Sequence, residues 1–128
     1  MLFQSKGTLV PIKVNSDLSE KQFHAVALSS GVATCSHTKA DPVLGILQDA
    51  VKGTSTDVKT ASVQIDGITR AEIGGTVAEN AYLIADTDGQ LISDDAADQF
   101  VVGMALESGV AGDIIAVDLT CKGPTTTA

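Results

Sequence analysis

The chain is poor in aromatic residues, in bases and in cysteine. Aromatics make up 3% of its 128 residues, with no Trp, one Tyr and three Phe. Deep ligand pockets lean on aromatic walls, so a core of Val, Ile, Leu and Ala points to thin β layers instead. Bases number 8 against 16 acids, for a formal net charge of -8. Phosphate neutralisation needs a basic footprint, so no nucleic-acid partner is expected. Two cysteines, Cys35 and Cys121, make no disulfide framework, and with two histidines they make no zinc site. No apolar run is long enough to span a bilayer, so no membrane partner is expected. The opening "MLFQSKGTLVPIKV" lacks the parts of a signal peptide, which implies synthesis and retention in a cytosol.

What is present is 44% hydrophobic residues, enough for a real core. Charge is unevenly placed: residues 1–70 hold 6 acids and 7 bases, and residues 71–128 hold 10 acids and Lys122 alone. The first half is therefore nearly neutral and the second is acidic.

The chain also resembles itself. At an offset of 58, Gly31 falls on Gly89 and Gly45 on Gly103, with "FHAVALSSGVAT" over "AYLIADTDGQLI" and "LGILQD" over "VGMALE". After a two-residue deletion, Gly53 falls on Gly109, Asp57 on Asp113 and Gly67 on Gly123. The order of features is strand, Gly turn, strand, Gly-containing strand, Gly loop, strand, twice over. The runs "TLVPIKV", "HAVAL", "VLGIL", "ASVQI", "AYLIA", "QFVVGMAL" and "DIIAVDL" are short, aliphatic and bounded by turn residues. Pro11 puts the first of them at an edge or outside a sheet. In "SDLSEKQFHAV", Asp17 and Glu20 have capping-box spacing, but the run that follows favours a turn into a strand. The fold expected is mainly β with little helix: a small β-barrel or β-sandwich of two pseudo-repeated halves.

Four segments invite a chemical reading. "DTDG", from Asp86, opens like a calcium loop, but the sixth and twelfth places hold Leu91 and Ala97 where Gly and Glu are needed. A hairpin turn and a solvated acidic loop explain it. "CSH" puts Cys35 and His37 on one face of an extended segment, with no orienting group and no oxyanion site. "DVKTASV" is similar to the lysine hairpin of lipoyl and biotinyl carrier domains, yet Lys59 starts a strand and the neighbouring Met of biotinyl domains is missing. "EIGGTV" lacks the Lys and the strand–helix unit of a phosphate loop. No catalytic residue, metal ligand or cofactor site is assigned, and the chain is not expected to be an enzyme.

Taken in order, "DLSEKQFHAVAL", "DPVLGILQD", "ASVQIDGITRAEIGG", "AYLIADTDGQLI", "VVGMALES" and "AGDIIAVDL" resemble the capsid decoration, or cement, proteins of tailed bacteriophages. The likeness runs from about Asp17 to Leu119. It implies a β-tulip-like domain over residues 17–121, which holds the repeats (about 22–67 and 80–123), and an extended N-terminal arm over 1–16; the tail over 122–128, read as flexible, departs from the family. It also implies a structural virion protein, made in the host cytoplasm and carried on the capsid exterior. Such a protein binds the mature head at three-fold and quasi-three-fold positions, as a homotrimer bridging copies of the phage major capsid protein. The arm residues Leu2, Phe3, Lys6, Leu9, Ile12 and Lys13 are then the expected shell contacts, with the acidic half facing solvent. A non-catalytic binding module of a phage tail or fibre, and a carrier-type domain with a modified Lys59, remain the rival readings.

Overall fold

Short aliphatic runs between Gly, Asp and Ser turns become strands in the computed structural model, which describes residues 7–35, 42–93, 100–119 and the backbone of 123–124. The first half contributes β1 (Leu9–Val14), β2 (Asp17–Leu18), β3 (Ala25–Ser29), β4 (Val32–Thr34), β5 (Gly45–Leu47), β6 (Val51–Lys52) and β7 (Lys59–Gln64). The second contributes β8 (Ile68–Glu72), β9 (Tyr82–Ala85), β10 (Leu91–Ser93), β11 (Phe100–Ala105), β12 (Ile114–Asp118) and β13 (Gly123–Pro124). The fold is mainly β, as the composition implies.

Strands β1-β4-β3-β5-β7 close into a barrel, with the pair β2-β6 beside it. The second sheet has the order β10-β9-β11-β12-β8, and β13 pairs with β11. Matched by register, the two orders are the same. Ala25 pairs with Ile46 and Val26 with Gly45, as Tyr82 pairs with Met104 and Leu83 with Gly103. Barrel closure by the parallel pair Lys13–Val32 has its counterpart in an isolated parallel bridge, Ile73–Leu91. The pair β2-β6 has its counterpart in the bridge Val77–Gly109. The second sheet therefore curls on itself as the first does.

The repeat is wider than the self-alignment gives. Lys13 pairs with Thr60 and Glu72 with Ile114, so β1 and β8 are equivalent. Residues 9–14 of the expected arm are thus a full strand of the barrel, paired with β7 along its whole length. Pro11 is tolerated there because Ile65 N–H donates to the Thr8 carbonyl, which sets Pro11 at a position where its nitrogen points away from β7. On its other side β1 meets β4 only at Lys13. The Gly67–Gly123 match does not hold in register: Gly67 is in the connection to β8 and Gly123 pairs with Val101. The capping-box spacing of Asp17 makes no helix; its carboxylate accepts from the Ser19 N–H and hydroxyl in a turn.

Alternation on each strand sorts the core into two. Val14, Val26, Ala33, Cys35, Leu47, Ala61 and Val63 fill the barrel. Ile73, Leu83, Ala85, Leu91, Val102, Ile115 and Val117 fill the second sheet, joined by Ala25, Val43 and Ile46 from the barrel. Residues 25 and 46 therefore face the second sheet while their neighbours 26 and 47 face the barrel. One core spans the junction, so the halves are fused. Each fully buried aliphatic side chain stabilises by roughly 1.5–3 kcal/mol. Stability is accordingly spread over many modest contributions.

Gly45 and Gly103 show why the repeat keeps glycine inside a strand. A Cβ on Gly103 would stand 2.6 Å from the Asp118 carbonyl oxygen, and one on Gly45 would collide with the Gln64 carbonyl. Phe23 and Asn80 are also equivalent, one residue out of step with the self-alignment, and both have left-handed backbones (φ 69° and 71°). Asn tolerates that conformation; Phe23 adopts it with its ring packed on the second core.

Candidate interaction surface

Three of the residues expected to touch a shell, Leu2, Phe3 and Lys6, lie outside the described residues. The other three are on β1. Alternation turns Ile12 inward, with Val10 and Val14, onto the barrel core. It turns Leu9, Pro11 and Lys13 outward, and Leu9 is 55% exposed. The structure thus separates Ile12 from Leu9 and Lys13, which share an exposed barrel face.

The segments with a chemical look have structural roles. Cys35 is 4% exposed inside the barrel. Burial pushes its thiol up from 9.0 to about 11, so little thiolate exists at neutral pH. We expect Cys35 to resist iodoacetamide in the native protein at pH 7.5 and to label fully in urea, as read by peptide mass. Alkaline pH therefore destabilises the fold at this thiol. The unfolded chain loses this proton first, so stability holds below pH 9 and falls between pH 9 and 11. Urea midpoints across that range test it; a Cys35→Ala variant should lose the decline.

In the β9–β10 turn, Asp86 Oδ1 accepts from Thr87 N–H (2.8 Å) and Asp88 Oδ1 from Gln90 N–H (3.1 Å). These carboxylates cap their own turn. Among the described residues, no group of three or more His, Cys, Asp or Glu side chains is placed to hold a metal. Lys59, at the start of β7, pairs at 3.1 Å with Asp57 of the exposed loop before it. His37 and Cys121 lie outside the described residues.

Instead, the polar side chains gather at the junction. His24 is 4% exposed and bridges the halves: Nδ1 donates to the Asp88 carbonyl (2.9 Å) and Nε2 faces Glu72 Oε2 (3.2 Å). Gln90 Nε2 donates to the same carboxylate oxygen at 2.5 Å. Backbone bonds run alongside, from Ala25 N–H to the Gly89 carbonyl (2.7 Å) and from Glu72 N–H to the Phe23 carbonyl (3.0 Å). Two open clefts adjoin this seam, of about 340 and 290 Å³, and share Lys21 and Asp88. Asp17, Glu20 and Glu72 line the smaller one. The Ser19 hydroxyl and N–H hold the Asp17 carboxyl below its ordinary range. Neither cleft presents an activated nucleophile with an orienting partner.

The remaining features are surfaces. Leu9, Leu28, Val58, Tyr82, Val110 and Ile114 are large apolar residues about half exposed. Charge divides with the fold. Glu72, Glu79, Asp86, Asp88, Glu107, Asp113 and Asp118 belong to the second sheet and its loops, where Arg70 is the described base.

The class the fold defines is a pair of fused, same-order β units joined by a common core. No family model and no curated protein matches the chain. Among solved structures, it is similar to the head fiber gp8.5 N base of bacteriophage phi29. The TM-score is 0.66 at 13% identity, over 93% of this chain and 100% of that one. At that identity the likeness establishes the fold.

Proposed function

We propose that this chain is a non-catalytic structural protein of a phage virion, carried on the outside of the head. The observation that supports it is the fold shared, over almost the whole chain, with the base of a phage head fiber. The sequence resemblance to capsid decoration proteins points the same way. On this reading the protein binds the assembled shell at three-fold and quasi-three-fold positions as a homotrimer, and bridges major capsid proteins. Binding the assembled state in preference to free subunits is enough to stabilise a shell, and many copies multiply a small gain per site. Leu9 and Pro11 on the exposed face of the barrel are on the side toward the shell, and the acidic loops of the second sheet are on the side toward solvent.

The solved relative favours a second reading, in which the chain is the base of a head fiber. Copy number in gradient-purified particles, measured by quantitative mass spectrometry against the major capsid protein, tests both. A fixed stoichiometry near one-to-one is expected for a cement protein. A small fixed number favours the fiber base. Absence from particles overturns both readings.

A further inference from the structure

The internal repeat exposes a pair of faces whose equivalents are already bound to each other within the chain. At the junction the barrel presents Ala25 and Ile46, both 0% exposed beneath the second sheet. Their register equivalents on the second sheet are Tyr82 and Met104. Tyr82 is 54% exposed and Met104 half-buried. The second sheet thus repeats the barrel's docking face, with Tyr in place of Ala, and leaves Tyr82 in solvent. Exposed Tyr and Met are residue types enriched in protein interfaces.

The opposite face repeats too. The second sheet grips the barrel with Glu72 and the β9–β10 turn, whose Gly89 carbonyl accepts from Ala25 N–H at 2.7 Å. That turn is pressed close: a Cβ on Gly89 would stand 3.1 Å from His24 Cβ and 3.3 Å from Cys35 Cβ. The barrel's equivalents are Lys13 and the β3–β4 turn with Gly31. Nothing approaches a Cβ position on Gly31 within 4 Å, and Leu28 beside it is 52% exposed. Among the described residues, one gripping face and one receiving face are therefore open on every copy.

We propose that a second copy of this chain occupies them, with the barrel of one protomer docked on the Tyr82–Met104 face of the next. Gly31 then stands to Tyr82 as Gly89 stands to Ala25. Charge fits as well. Glu72 reaches His24 within the chain, and its equivalent Lys13 comes over Ala81, the equivalent of His24, beside exposed Glu79. Lys13 thus meets an acidic surface and leaves the near-neutral barrel face. Such a contact is heterologous, so the rotation between copies sets whether it closes into a ring. The proposal stands on the repeat and does not depend on the virion reading.

Sedimentation equilibrium of the purified chain, with no heads present, tests it. The wild type is expected to exceed the mass of a single chain. Tyr82→Asp and Leu28→Asp, on opposite faces, should each weaken association by about tenfold or more with unchanged circular dichroism. Lys13→Glu should also weaken it, and adding Glu79→Lys to Lys13→Glu should restore it. A wild type that stays a single chain at every soluble concentration overturns the proposal. So does full association by both Asp variants. A single-chain protein found at high copy number in particles would sink this inference and the homotrimer with it, and leave the place on the virion standing.

Discussion

Gly103→Ala is expected to be among the most damaging single substitutions in the chain, with Gly45→Ala beside it. Both glycines are fully buried in paired strands, at equivalent places in the two halves. The added Cβ at 103 would meet Asp118 O at 2.6 Å and Val117 Cγ1 at 2.7 Å. A carbonyl held in a strand cannot swing aside as a side-chain tip can, so β11 and β12 must part. Overpacking of a core typically costs 1–3 kcal/mol, and backbone displacement adds to it, so about 3 kcal/mol or more is expected at each site. Against a total of roughly 5–15 kcal/mol, the double variant should leave little folded protein. Urea unfolding followed by circular dichroism gives the answer. A loss below about 0.5 kcal/mol at either site would show that the strands relax around the methyl group.

These glycines also mark how far the sequence is legible. Gly45 and Gly103, with Gly31 and Gly89, anchor the self-alignment because the backbone geometry at those points admits few other residues. The aliphatic runs around them read correctly as strands. β8 is harder to see: "ITRAE" carries two charges in five residues, and its inward positions, Thr69 and Ala71, are small. The available signal is its match to "LVPIK" in register, but Pro11 argues for a strand outside the sheet. Pairing with β7 overrides it, because the proline nitrogen faces the side that needs no donor. Ile12 follows from period two, since it alternates with Lys13 and lies on the side of Val10 and Val14. The open face at Tyr82 could not be read this way. Tyr82 and Ala25 occupy equivalent strand positions, and burial of one and exposure of the other depend on which sheet covers which.

His24→Leu is expected to show how tightly the two halves are coupled. The imidazole is buried, and the only groups it meets through hydrogen bonds among the described residues belong to the second sheet: the Asp88 carbonyl and Glu72. A carbonyl can only accept, so Nδ1 carries a hydrogen. Leucine has similar bulk but no donor. It leaves the Asp88 carbonyl unpaired and the Glu72 carboxylate with Gln90 alone, for a cost of about 2–4 kcal/mol. Glu72→Gln should cost less, because an amide keeps an oxygen toward Gln90. If the bridge acts as a unit, the double variant will lose less than the sum of the singles by about 1 kcal/mol. Additive losses would mean that the two groups are neighbours without an interaction. The transition should stay single in every variant, because Ala25, Val43 and Ile46 remain part of the second core when the polar bridge is removed. Two separated transitions would instead assign the coupling to the bridge itself. The repeat explains why this cluster occurs once: its equivalents are Ala81 and Lys13, on faces that the chain leaves open to a second copy.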